Sequence, residues 1–304
     1  MRILYPEVRL IDDINPFIKI EKIGRVCYKS SSAFTEETAN LFFKNLVARK
    51  HYAVLEHANF IFEVSEKVYH LLFGCKYFNY SVEEFENKPK RFIISGNLRA
   101  INEFGREILL RALHNIDPNL VYSCGFILKD NLSMVSKDVD CKIINIDDIP
   151  DIQETAYKTH KYFSFDLICD RGVSHELVRH RPSSFAQEST RYCSYLKEKF
   201  GGEISIILPS DYDNWNNEQK DRYLDLMKQS EETYLYLLQT GILPQNARSV
   251  LPTCLKTEIV ITTNALEYEH IFNLRLRGIT GSPHPDMKII MEKAYEIYCG
   301  KSKF

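Results

Sequence analysis

No two of the eight cysteines in this chain form a C-x-x-C pair. Cys27, Cys75, Cys124, Cys141, Cys169, Cys193, Cys254 and Cys299 are scattered, which argues against a zinc ribbon or a disulfide framework and fits reduced cytosolic thiols. Charge of one sign is lacking too. Against 39 Lys and Arg stand 41 Asp and Glu, so the net charge is −2 and the pI about 6.5. That leaves no global basic field to hold nucleic acid, although a local basic pocket stays open. No uninterrupted apolar run is long enough to cross a bilayer. The first stretch, MRILYPEVRLIDDI, carries charges inside its apolar run, so no signal peptide is expected. The fingerprint G-x-G-x-x-G is missing, so no separate nicotinamide domain of the doubly wound type is expected. Together these absences lead us to expect a cytoplasmic chain with no membrane and no nucleic-acid partner.

What is present is ordinary in bulk: 304 residues, 44% hydrophobic and 26% charged, enough for one large core or two smaller ones. VRLIDDI reads as a first strand. Thr35 reads as an N-cap with Glu36 and Glu37 in the favourable first turn, opening an amphipathic helix over 35–50. ANFIFEVS alternates, with Phe60, Phe62 and Val64 on one face. KYFSFDLICD does the same with Phe163, Phe165, Leu167 and Cys169. Between these strands, Leu98, Ile101, Ile108, Leu109 and Ala112 share a helical face. The polar stretch 129–154 reads as a loop or weak hairpin. Further on, a long helix ends at Gly241, TEIVITTN reads as a strand, and Asn264 with Glu267 opens a helix running to about Arg277. Met287 to Tyr298 marks a last amphipathic helix. Strands and long helices mix without a regular βαβα rhythm. The fold class expected is therefore α+β, a mixed or antiparallel sheet core flanked by long helices.

The densest chemistry lies in RGVSHELVRHRPSSFAQESTRYCSY, residues 171–195. HELVRH is close to a zinc-protease helix, but His175 and His180 are five apart. At about 100° per residue they diverge by roughly 140°, too far to share one ion, and we expect no metal. Pro182 is expected to stop a helix begun near Gly172, which would put Arg179, His180 and Arg181 in its last turn. Cations there complement the helix dipole. They also suit an anion, since arginine offers a planar fork and the following SSFAQESTRY adds hydroxyls in an irregular segment. An anion site and a solvated polar loop both stay open on composition alone.

Arg179-His180-Arg181, seven residues, then Ser189 resembles the signature of the flavin-dependent thymidylate synthases, R-H-R-(x)7-S, and QESTRY resembles the surrounding N-E-x-S-x-R-Y. Other blocks follow in the family's order. HYAVLEH resembles H-x-x-x-x-E-H. NARSVLP resembles A-R-x-x-L-P. TTNALEYEHIFNLR resembles the block that holds an asparagine, a histidine and L-R. SPHPDMKII resembles the histidine opening the last helix. The resemblance covers roughly residues 1–65 and 160–300 of a single domain over 1–304. It leaves 66–158 as a large, peripheral insertion relative to the usual family core.

The resemblance implies reductive methylation of dUMP to dTMP. Methylenetetrahydrofolate would be the carbon donor, FAD the hydride carrier and NADPH the reductant, in a homotetramer. It carries Glu176, Arg179, Glu188, Ser189, Thr190, Arg191, Arg248 and Arg275 to dUMP, with Arg275 as the catalytic cation at the pyrimidine. It carries His51, Arg179, His180, Arg181, Glu188, Asn264, His270 and His284 to FAD. Four positions depart from the family pattern: Glu176 stands where many members have glutamine, Gln187 replaces a common asparagine, and Cys27 and Ala53 stand where some have hydroxyls. Cys193 and Cys254 are the candidates for a thiolate nucleophile, and packing is the reading we favour for both. The rival classes are a single-stranded nucleic-acid binder stacking bases on its 18 Tyr and 18 Phe, and an inactive nucleotide sensor.

Overall fold

The computed structural model describes residues 1–13, 15–28, 33–104, 109, 112, 141–196 and 201–304. The chain is α+β. Its central sheet has the order β2-β7-β10-β8, formed by Glu7–Leu10, Tyr162–Asp170, Lys256–Asn264 and Ser184–Gln187. Every neighbouring pair in it is antiparallel. A second antiparallel sheet has the order β4-β5-β3-β6, formed by Asn79–Glu83, Arg91–Asn97, Asn59–Val64 and Cys141–Ile143. A small parallel pair joins β1, Arg2–Leu4, to β9, Ser205–Ile207.

The alternation of β7 decides what covers the central sheet. Phe163, Phe165, Leu167 and Cys169 all point to one face. There they pack with Ile259 and Ile261 of β10 against the helices Ala265–Arg275 and Pro285–Lys301. The opposite face receives the helix Pro16–Tyr28 through Ile23, Val26, Ala186 and Val260. Phe62 and Val64 of β3 are buried in a second core, with Phe60 packed against it.

Capping explains several element starts. Thr35 and Thr38 form a reciprocal capping box at the helix Glu36–Ala48, and Asn216 and Gln219 do so at Asn217–Gln239. Asn264 accepts from the Glu267 N–H at 2.9 Å. Gly241 and Gly278 adopt φ of +90° and +69°, a left-handed geometry that suits glycine just past a helix end.

Some expectations needed correction. The first strand ends at Leu10 and is preceded by β1. Beyond it Asp13 pairs with Lys22 at 2.7 Å, and the Asn15 side chain accepts from Phe17 N–H, which starts a helix instead. The stretch 129–154 includes β6 and a short 3-10 turn at Ile146–Asp148; residues 129–140 of it lie outside the described residues. The helix expected over 98–112 is described as Leu98–Phe104, with Leu109 and Ala112 also buried; Ile108 lies outside the described residues. The helix near Gly172 spans Arg171–Leu177, so Arg179, His180 and Arg181 fall beyond its last turn. SFAQ, expected to be irregular, is strand β8, drawn into the sheet by its register with β10. Segment 66–158 supplies three of the four strands of the second sheet, with β3 seated between β5 and β6.

Candidate active site

The site is built on the strand, helix and turn that lead out of the central sheet. Asp170 ends β7 and caps the next helix, accepting from the Val173 N–H at 2.9 Å. That helix presents Glu176. The chain then turns, with the His180 N–H donating to the Leu177 carbonyl at 3.1 Å, and re-enters the sheet as β8. Because the helix closes early, the helix dipole does not account for the cations that follow.

His180 is 6% exposed and meets a residue 95 positions away. Arg275, the last residue of the helix that follows β10, donates from Nε to His180 Nε2 at 3.2 Å. It also donates from Nη1 to Glu176 Oε2 at 2.7 Å and from Nη2 to the Glu176 carbonyl at 3.4 Å. An arginine N–H can only donate, so Nε2 of His180 accepts and the ring proton belongs on Nδ1. Nδ1 faces Glu267 Oε1 at 3.5 Å. The His270 ring lies 6.1 Å from that of His180. Ligand atoms of His180, Glu267 and His270 lie within 4.8 Å of one another, close enough to hold a metal ion. Arg275, however, places a fixed cation against the same imidazole. Reasoning from spacing compared His180 only with His175 and missed this group, which folding brings together from two elements.

A second cluster is cationic. Arg248 Nη1 reaches Thr190 Oγ1 at 3.4 Å. Ser189 Oγ accepts from the Arg191 N–H at 3.2 Å, and Arg191 Nε donates to Gln245 Oε1 at 3.3 Å. Both arginines are exposed, so their forks remain open to solvent. Gln245 was not singled out from sequence, since nothing local marks it.

Glu188 stands apart from both clusters. It is 1% exposed, accepts from Lys256 Nζ at 2.9 Å and from Tyr195 OH at 3.1 Å. Desolvated charge of this kind holds only when paired, and Lys256 supplies the pair. Arg181 and Asn264 line a cavity of about 480 Å³. Both polar ends of Asn264 are engaged, by Glu267 N–H and by the Thr159 carbonyl. His284 caps the last helix and shares a cavity of about 470 Å³ with Glu176 and Arg275. His51 and Arg179 are exposed, and the Arg179 N–H donates to the Glu176 carbonyl at 3.4 Å. Within the HYAVLEH block the buried histidine is His57, not His51. Its Nδ1 lies 2.7 Å from Thr262 Oγ1 of β10, and burial pushes its pKa down to about 3.

Neither candidate cysteine has the setting of a thiolate. Cys193 is 1% exposed, and its Sγ points at the Cys27 carbonyl, 3.6 Å away. Cys254 lies 3.2 Å from Met227 Sδ, and burial pushes its thiol pKa up.

The scaffold is α+β, and it buries a histidine against a remote arginine beside two exposed arginines. The chain belongs to the family described as thymidylate synthase complementing protein, the flavin-dependent thymidylate synthases; the family model matches residues 9–114 and 146–299. It is 32% identical over 118 residues to a flavin-dependent thymidylate synthase of Pyrococcus furiosus, covering 38% of this chain and 47% of that protein. Against the same-named protein of Saccharolobus solfataricus it is 35% identical over 118 residues, covering 38% and 43%. The chain thus spans about half the length of the curated relatives it matches. A crystal structure of the UMP/dUMP methylase PolB of Streptomyces cacaoi, with bound 5-Br dUMP, aligns over 99% of this chain and 93% of that one. Identity there is 15% and the TM-score 0.43, too low to add to the family match.

Proposed function

We propose that this protein converts dUMP to dTMP by reductive methylation. Methylenetetrahydrofolate is the carbon donor, and FAD the hydride carrier that NADPH reduces. The contact between His180 of the signature and Arg275, 95 residues later, supports this reading, because the resemblance to the family carries the first to FAD and the second to the pyrimidine.

Arg191 and Arg248, with the Ser189 and Thr190 hydroxyls, suit the phosphate of dUMP, and exposed Arg179 adds charge near the signature. Arg275 suits the pyrimidine. Three hydrogen bonds hold its guanidinium in place. A fixed cation stabilises negative charge that builds on the ring, which activates ring carbon. Glu176 accepts but does not donate when ionised, so it suits the imide N–H of uracil. Glu188 supports the pocket from within through Lys256.

FAD fits the chemistry around Arg181 and Asn264. Their cavity contains a buried hydroxyl, Ser183 Oγ, with no hydrogen-bond partner among the described residues. His180 and His270 border the same signature, and His51 and His284 complete the set implied by the family. When bound, FAD supplies the hydride. The pyrimidine receives it without a covalent bond to the enzyme, since neither cysteine is set up to ionise.

We read residues 1–304 as one domain that assembles as a homotetramer in the cytoplasm; of the segment 66–158 only 115–145 falls outside the family match. Among the described residues no helix is long and apolar enough to cross a membrane. Sedimentation of the active protein as a monomer would reject the tetramer. The test of function is direct. Purified protein should be yellow, should release FAD on denaturation and should form dTMP from dUMP only with NADPH and methylenetetrahydrofolate present. A colourless protein that binds no added FAD would sink the reading.

A further inference from the structure

A cavity of about 320 Å³ lies between the small parallel sheet and the last helix, Pro285–Lys301. Three stretches remote in sequence form its apolar walls. Ile3 and Leu4 come from β1, Leu208 and Pro209 follow β9, and Ile289 and Ile290 come from the helix. Parallel pairing of Leu4 with Ile207 sets the first two side by side. No residue that the resemblance carries to dUMP or FAD lines this cavity. Its volume falls at the low end of small-molecule sites, about 300–1,000 Å³.

We propose that this cavity binds a small organic ammonium ion, a primary amine on an apolar body. The walls supply the first reason. Ile3 and Tyr5, which also line the cavity, are 40% and 78% exposed, so an apolar occupant is stabilised by covering them. Charge supplies the second. Asp170, Asp213 and Asp286 line the cavity against a single lysine, Lys293. Lys293 Nζ donates to the Pro6 carbonyl at 2.6 Å. Among the described residues the one ion-pair contact of the three carboxylates is Asp286 with His284, at 3.8 Å.

Two of the carboxylates are held in place. Asp170 accepts from the Val173 N–H at 2.9 Å, and Asp286 from the Ser210 N–H at 2.8 Å. Burial, with the charge of Asp286 acting in the same direction, raises the Asp170 carboxyl above its ordinary range. A cation in the cavity relieves that repulsion. A bare metal ion does not fit, because the three carboxylates are too far apart to share one. The one three-ligand group close enough among the described residues is His180, Glu267 and His270. An ammonium group with three donors reaches carboxylates while its body fills the apolar space. The same charge repels nucleotides and folates, which separates this cavity from the sites of the reaction proposed above.

A reporter is built in. Tyr212 lines the cavity and packs against Trp215 with ring centroids 5.4 Å apart, and Trp215 is the chain's single tryptophan. Phenethylamine is titrated into the full chain while Trp215 emission is read, with 2-phenylethanol and 3-phenylpropionate as neutral and anionic analogues. The amine should give a saturable change, and both analogues should bind about tenfold more weakly or not at all. Asp213→Asn, at an exposed position, should weaken the amine about threefold. Lys293→Gln removes the competing cation and should tighten it. Ile289→Phe fills the space and should abolish binding. Each variant is first checked for a wild-type unfolding midpoint, and if Ile289→Phe fails to fold, the two charge variants decide. No response to millimolar amine overturns the proposal, whether the cavity stays empty or a second copy of the chain fills it. An equal response to the alcohol, or an amine affinity that neither charge variant changes, also overturns it. Formation of dTMP is a separate measurement, so failure of this site and failure of the proposed reaction are distinguishable.

Discussion

Arg275 uses all three of its guanidinium nitrogens, and two of its bonds go to Glu176. Arg191 instead stands in solvent with a single side-chain hydrogen bond, to Gln245. That difference predicts different kinetics. Arg191→Ala should mainly raise the KM for dUMP, because truncating one charge-assisted contact costs roughly 1.5–3 kcal/mol. Arg275→Ala should mainly lower kcat at saturating dUMP, because its fixed charge acts on the reacting ring. Steady-state assays in which both variants alter only dUMP affinity would refute the division. Burial of Cys193 and Cys254 gives a second expectation. Serine at either position, or at both, should leave NADPH-dependent turnover near normal in flavin-loaded protein. Loss by several orders of magnitude would mean a thiolate nucleophile and a different reaction course.

At the scale of elements, the helix Ala265–Arg275 positions Arg275, and Asn264 positions that helix. The Asn264 side chain caps it through Glu267 N–H and ties it to the Thr159 carbonyl, both at 2.9 Å. Asn264→Ala removes both bonds and should destabilise the protein by about 1–2 kcal/mol. Urea denaturation would measure this, and an unchanged midpoint would show that the cap is dispensable. The cap was legible in the sequence, because an N-cap followed three residues later by Glu is a local signal. The alternation of β7 was legible for the same reason, and it identified the core face. The end of the helix Arg171–Leu177 was not. Pro182 marks where a helix must have stopped, whereas the turn that stops it five residues earlier is imposed by β8 pairing with β10.

At the scale of the whole molecule, buried titratable groups set the pH range of stability. Burial lowers His57 and His160 from 6.5 to about 3. Each therefore contributes stability that is present above pH 6.5 and lost as pH falls toward 3. Asp166 is raised from 3.8 to about 7, by burial first and then by Glu258 and Glu7, against the pull of Arg9 and Lys256. Its contribution has the opposite sign, present below pH 3.8 and lost as pH rises through 7. Between pH 4 and 6.5 the unfolded chain binds about two more protons at the histidines and one fewer at Asp166, so stability should rise with pH. Asp166→Asn should steepen that rise and flatten the profile near pH 7. Denaturation midpoints across pH 4–8 would check this, and an unchanged profile would count against a neutral Asp166.

The sequence by itself determined the periodic and the local: the α+β class, the core face of β7, the caps at Thr35 and Asn264, and the signature Arg179 to Ser189 with its ordered companion blocks. Those features depend on neighbours a few residues apart, which is the range over which helix and strand periodicity and capping act. Only the tertiary structure decided that Arg275 clamps Glu176 and His180, that Glu188 spends its charge on Lys256, and that the buried histidine of HYAVLEH is His57. The physical reason is the same each time. A side chain's partner depends on which strands pair and in what register, and residues 95 or 68 positions apart become neighbours only once the sheet has closed.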